Sequence, residues 1–171
     1  PCGNHSSAKY TRSKFDQGHM VTSKEAGLFT EFPKDSMPGA GMQSSFSMCN
    51  IWPQGGDFNR HKWQHLEFTT AAYAAKTKHN CAILSGPIFN KGTNDCIVPE
   101  GNEAVSGDCS TDSSMLKIPS HFYKILIDFD TKKYWAFIAE NFYGKAEQEA
   151  TDMLSTLSNI NNAQGAVVTF D

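Results

Sequence analysis

Apolar and polar residues alternate from His121 to Phe129, with Tyr123, Ile125, Ile127 and Phe129 on one face, which predicts a β-strand. Asp130-Thr131-Lys132-Lys133 reads as a turn, and Tyr134 to Ala139 as the returning arm of a hairpin. Looser alternation predicts a strand over Ser13 to Thr22. A second over Ser45 to Trp52, with Phe46, Met48 and Asn50 on one side, is expected to end at Pro53. Gln54 to Asp57 carries two glycines and reads as a turn, and Pro38 to Gly41 as a loop. The apolar run Cys81 to Leu84 predicts a strand that stops at Gly86-Pro87, and Gly165 to Phe170 a last short one. Trp63, Leu66, Tyr73 and Ala74 fall near one helical stripe, predicting a helix from about Asn59 to Lys78; another is expected over Ala146 to Leu157. The first nine residues are polar and read as a frayed segment. The strands cluster and do not alternate strictly with helices. The expected class is therefore α+β: a largely antiparallel central sheet flanked by helices, in one domain over residues 1–171.

Composition narrows this picture. The 171 residues are 39% hydrophobic and 19% charged, which excludes a disordered tail. No run approaches the roughly 18 apolar residues of a membrane span, so no membrane association is expected. A formal charge of −3 argues against a generally basic nucleic-acid coat protein. The charge is uneven, however: residues 1–62 hold seven Lys/Arg against five Asp/Glu, and residues 63–171 hold eight against thirteen. Arg12, Lys14 and Arg60 lie in the basic part, where a polyanion is expected to bind. The chain begins at Pro1 with no Met or hydrophobic leader, as expected of a processed chain or a domain of a longer protein. There are five cysteines and no C-x-x-C, which disfavours a cysteine zinc site. Cys96 and Cys109 flank a polar loop; a disulfide pinning it and two free thiols are both open readings.

Two segments carry chemistry. One is Phe15-Asp16-Gln17-Gly18-His19-Met20. The other is Asn50-Ile51-Trp52-Pro53-Gln54 followed by Asn59-Arg60-His61-Lys62-Trp63-Gln64-His65-Leu66-Glu67. They describe a strand ending in a histidine, a returning strand, and a helix with an amide oxygen at its start. A hard cation such as Mg²⁺ prefers oxygen and keeps most of its waters, so one asparagine suffices when a phosphate completes the shell. A neutral histidine beside it can take a proton from an attacking water. Glu67 lies eight residues beyond Asn59, about 12 Å along an α-helix, too far to share the same ion directly. It fits an outer role, orienting water. Asn59 also has a plainer reading as a helix N-cap.

The pattern Asp16-Gln17-Gly18-His19, then Asn50 to Gln54, then Asn59, Trp63, Leu66 and Glu67, resembles the signature of the DNA/RNA non-specific endonucleases. These are the His-Me finger, or ββα-metal, nucleases that include endonuclease G. Leu84 to Phe89 and Ile118 to Lys124 resemble the family's later strands, so the likeness spans about residues 10 to 160. The resemblance implies a His-Me finger fold and hydrolysis of phosphodiester bonds in DNA, with RNA as a further substrate, leaving 5′-phosphate ends. It implies His19 as general base, Asn59 as the direct protein ligand of one Mg²⁺ (with Mn²⁺ as a substitute), Glu67 holding a metal-bound water, and Asn50 fixing the site beside His19. Gln17 stands where the family usually has arginine; it can bond a phosphate but brings no charge, and Arg12, Lys14 or Arg60 could replace that charge as substrate-binding residues. Ala71 stands where some relatives have another arginine.

A secreted enzyme or a toxin domain delivered into another cell is the expected setting. An inhibitor or immunity protein is the expected protein partner, and a dimer is left open. One rival is a nuclease-fold module that binds nucleic acid with weakened turnover, suggested by Gln17. A second is a zinc hydrolase built on His61 and His65.

Overall fold

The computed structural model describes residues 10, 13–28, 40–89, 94–97, 104–107, 115–141 and 167–170. The elements are β1 (Phe15–His19), α1 (Ser23–Leu28), α2 (Ala40–Ser44), a short 3-10 turn (Met48–Asn50), β2 (Ile51–Gly55), a π-helical turn (Phe58–Trp63) and α3 (Gln64–Thr77). They continue with β3 (Cys81–Ile88), β4 (Asn94–Ile97), β5 (Ala104–Gly107), β6 (Leu116–Lys117), β7 (His121–Asp128), β8 (Lys133–Glu140) and β9 (Val167–Phe170). The α+β class holds. β1 and β2 form an antiparallel ribbon, the main sheet runs β3-β7-β8-β9, and a small sheet runs β5-β4-β6. Every pairing is antiparallel except β8 with β9. The helix expected over Ala146 to Leu157 lies outside the described residues.

The β7–β8 hairpin forms as its alternation predicts, with Lys132 in the left-handed region (φ 56°) at the turn. The buried face is the other one, though. Phe122, Lys124, Leu126 and Asp128 point into the protein, while Tyr123, Ile125 and Ile127 are only half-buried. A lysine and an aspartate therefore occupy core positions. Phe122 and Leu126 pack with Phe58, Trp63 and Leu66 from the helix entry and with Trp135 and Phe137 from β8. A second cluster gathers Tyr10, Phe15, Ile51, Ile97, Leu116 and Ile118 beneath the ribbon.

Neither proline ends its strand. Pro53 lies inside β2, and Pro87 inside β3, opposite Phe122. Both strands have an open edge among the described residues, where a missing N–H breaks no ladder bond. Residues 51–55 are thus strand, correcting the turn expected over Gln54 to Asp57, and Ala40–Ser44 is helix where a loop was expected. Buried Asn141 ties the ribbon to the main sheet. Its amide nitrogen donates to the carbonyls of Pro53 (3.0 Å) and Pro119 (2.9 Å), and its Oδ1 accepts from Gly55 N–H (2.9 Å).

Asp128 is the other core charge. It accepts from Tyr73 Oη (2.6 Å), lies 2.8 Å from His79 Nδ1, and accepts the N–H groups of Asp130 and Thr131 (3.0 Å each). Burial alone pushes a carboxyl up; these hydrogen bonds outweigh it and hold Asp128 well below the usual carboxylate range. Its contribution to stability is therefore complete above the unfolded value near pH 4 and is lost as pH falls through the lower folded value. Asp128→Asn should cost about 1–3 kcal/mol at pH 7. Melting curves from pH 7 downward should show the wild-type advantage shrinking in acid; a constant gap would exclude this role.

Candidate active site

His19 is the last residue of β1 and pairs with Ile51 of β2. Gly18 precedes it for a steric reason: a Cβ there would collide with the Gln54 side chain, which lies fully buried against the glycine. The His19 ring meets Phe46 edge-on, with centroids 5.5 Å apart, and Phe46 itself is 60% exposed. His19 Nε2 is buried and has no hydrogen-bond partner. Burial holds the imidazole below its ordinary pKa, so the ring is neutral and basic at neutral pH.

The entry of α3 is clamped along β1. Asp16 Oδ2 accepts from Asn59 Nδ2 at 2.9 Å, and the same carboxylate takes a two-pronged ion pair from Arg60 (2.9 and 2.7 Å). One turn on, Trp63 Nε1 donates to the His19 carbonyl at 2.9 Å. The strand is thus tied to the helix at both ends, with Asn59 held at one tie and His19 at the other. With Nδ2 fixed on Asp16, the planar amide of Asn59 turns Oδ1 the opposite way. Asn59 sits not in an ordinary α-turn but in the π-turn 58–63, where Gln64 N–H reaches back to its carbonyl. Such turns recur at functional sites.

Asn50 staples the strand that leaves His19. Its Nδ2 donates to the carbonyls of Val21 (2.7 Å) and Ser45 (2.8 Å), its Oδ1 accepts from Val21 N–H (3.0 Å), and its backbone carbonyl accepts from Met20 N–H (2.9 Å). Every polar atom of that side chain works on the backbone, none on a ligand.

Glu67 is buried on α3, one turn past Trp63, and its Oε1 has no partner. Burial pushes its carboxyl well above the usual range, against the pull of Lys124. Lys124 lies in the same interior with Nζ bonded to both oxygens of Glu25 (3.0 and 2.9 Å). Two further groups stay half-made here: both amide atoms of Gln54 lack partners. His19, Glu67 and Gln54 thus each hold a buried polar atom without a partner.

Among the remaining candidates, Gln17 and Lys14 are exposed on or beside β1. Arg12 lies outside the described residues. Arg60 is exposed but already shared with Asp16, which raises its pKa further. His61 and His65 are exposed, and His61 Nδ1 lies 3.2 Å from the Asp57 carbonyl. Among the described residues no three His, Cys, Asp or Glu side chains gather as a metal group. Sequence reasoning missed the roles of Asp16, Glu25 and Lys124. For Glu25 a signal existed: Thr22-x-x-Glu25 is a capping box. Thr22 Oγ1 accepts from Glu25 N–H (3.1 Å) and Glu25 Oε2 from Thr22 N–H (3.0 Å).

The profile of the DNA/RNA non-specific endonucleases matches residues 2–171. The chain belongs to this family. It is 30% identical over 169 residues to Nuclease C1 of Cunninghamella echinulata var. echinulata, covering 92% of this chain and 58% of that protein. It is 25% identical over 120 residues to mitochondrial Endonuclease G of Bos taurus, covering 70% and 35%. The chain thus spans little more than half of one relative and about a third of the other. Its fold is similar to that in the crystal structure of an EndoG/EndoGI complex on the mechanism of EndoG inhibition. There the TM-score is 0.51 at 19% identity, covering 95% of this chain and 66% of that one. The expected His-Me finger fold is the fold of this chain.

Nucleases of this family are metal-dependent in general, and the residues fit a hydrated hard cation. Asn59 offers a neutral oxygen turned away from Asp16, and buried Glu67 holds an unpartnered carboxyl oxygen that a water could satisfy. That donor set is poor for a tightly caged ion and suited to one completed by water and phosphate.

Proposed function

We propose that the chain hydrolyses phosphodiester bonds of DNA, and of RNA as a second substrate, without base selectivity, using Mg²⁺. The observation that carries this reading is the double tie between β1 and the helix entry, which fixes His19 and Asn59 on adjoining elements. His19 Nε2 accepts a proton from water as the water oxygen bonds to phosphorus; the bond from phosphorus to the 3′-oxygen breaks, leaving a 5′-phosphate. The neutral imidazole suits this role because one of its two ring nitrogens is unprotonated and can accept the proton. Asn59 Oδ1 would hold the ion, with Glu67 orienting a water. When bound, Mg²⁺ supplies charge neutralisation for the phosphate and the leaving oxygen. Arg60, anchored by Asp16 next to Gln17, supports the idea that its guanidinium replaces the missing arginine charge toward substrate, with Lys14 and Arg12 as further phosphate contacts.

The setting we propose is secretion, or delivery into a target cell. Cys49 and Cys96 are disulfide-bonded while Cys81 is free, which favours an oxidising compartment. Cys109, the other cysteine flanking the polar loop, lies outside the described residues. A proteinaceous inhibitor over the substrate cleft is the partner we propose, in keeping with the inhibited EndoG complex; self-association into a dimer belongs to the same proposal.

Relaxation of supercoiled plasmid tests the reading. Nicking is expected with Mg²⁺, abolished by EDTA and restored by added Mg²⁺, with Mn²⁺ substituting. Plasmid binding without nicking in Mg²⁺ would instead favour the weakened binding module suggested by the exposed Gln17.

A further inference from the structure

The carbonyls of three successive residues, His19, Met20 and Val21, are each taken by a different side chain: Trp63, Lys124 and Asn50. The middle one is the unusual case. Lys124 and Glu25 are both completely buried, and the ammonium has no contact with bulk water. Its three protons are matched by three acceptors, Met20 O at 3.0 Å and the two oxygens of Glu25. The ammonium also lies 5.0 Å from the centre of the Trp63 ring, the ring whose N–H holds His19 O. Glu25 is itself fixed on its far side, by the Thr22 N–H in the capping box and by Thr70 Oγ1 at 2.7 Å.

A buried ion pair is a weak source of stability, because well-packed neutral groups commonly serve as well. What it provides is direction: an ammonium with all three protons engaged cannot relax to another partner. We propose that Lys124 is a positioning residue for the reaction: its bond to Met20 O, aligned by Glu25 and laid against Trp63, sets the strand end that carries His19. It connects the core of the main sheet to the strand end without touching substrate.

This rests on the nuclease reading, and the same plasmid assay separates the two, since a wild-type protein that does not nick fails the reading itself. Lys124→Met alone would strand a buried carboxylate, so it is paired with Glu25→Gln, which keeps the capping bond to Thr22. The double variant is expected to lose kcat at least tenfold per DNA-binding-competent molecule, counted by titrating DNA binding in EDTA, with KM within about twofold of wild type. Lys124→Arg, which retains a cationic donor, is expected to recover kcat to within about threefold of wild type. A merely structural role would lower the number of competent molecules and leave kcat per competent molecule unchanged. Should the double variant fail to melt cooperatively, Glu25→Leu with Lys124→Leu is measured against the same limits. The proposal is overturned if the folded double variant keeps kcat within threefold of wild type, or if arginine restores no more than methionine.

Discussion

His19→Ala is expected to lower kcat for plasmid nicking at least a hundredfold, and to change DNA affinity little. Removing a positioned general base costs about 10²–10⁴ in rate. The substitution leaves the framework alone, because the bonds that secure this position run through the His19 carbonyl, not the ring. A variant that folds and retains more than a tenth of wild-type activity would remove His19 from the chemistry. The pH profile gives a second check. Burial disfavours the charged ring, so its folded pKa lies below the ordinary value near 6.5. The base therefore stays neutral as pH falls past 6.5, and the acid limb of kcat/KM should lie beneath that value. The sign for stability matches: the neutral ring's contribution is complete above 6.5 and declines as pH drops through the folded pKa. An acid limb above pH 7 would contradict the geometry.

Asn59→Ala carries the second large effect. Losing one electrostatic stabiliser of a developing charge commonly costs 10²–10³ in kcat; here about a hundredfold is expected at saturating Mg²⁺. In addition, the half-saturating Mg²⁺ concentration should rise about tenfold or more, on the scale of a disturbed metal environment. Fold stability should change little, since Asp16 keeps its two bonds from Arg60. A simple N-cap or packing role predicts the reverse: lower melting temperature with unchanged Mg²⁺ demand. Titrating Mg²⁺ against nicking rate, beside a melting curve, tells the two apart.

The placement of the candidate site was legible because it is written in short, ordered segments. Asp16 to His19, Asn50 to Gln54 and Asn59 to Glu67 fall on the ribbon and the helix entry that their spacing implies. The hairpin was legible from alternation, but its inward face was not. A reader of hydropathy places Tyr123, Ile125 and Ile127 inside; the protein buries Lys124 and Asp128 because Lys124 finds all its hydrogen-bond partners in distant segments, and Asp128 adds Tyr73 and His79 to its own turn's N–H groups. Thr70, Glu25 and Met20 lie 45 to 104 residues from the groups they meet there, and no local pattern encodes such a meeting. The small sheet β4, β5 and β6 was missed for a related reason: four- and two-residue strands in a polar stretch carry too few alternations to register. Pro53 and Pro87 misled in the opposite sense, since proline forbids a central strand and not an edge.

The π-turn at 58–63 amounts to one residue too many for a regular helix. Each residue of an α-helix advances the azimuth by about 100°. The extra one lets the chain re-aim Asn59 and Arg60 toward Asp16 while Leu66 and Thr70 keep their heading into the interior. Packing and chemistry on this helix are thereby given separate phases, and shortening the turn by a single residue would force them back into one.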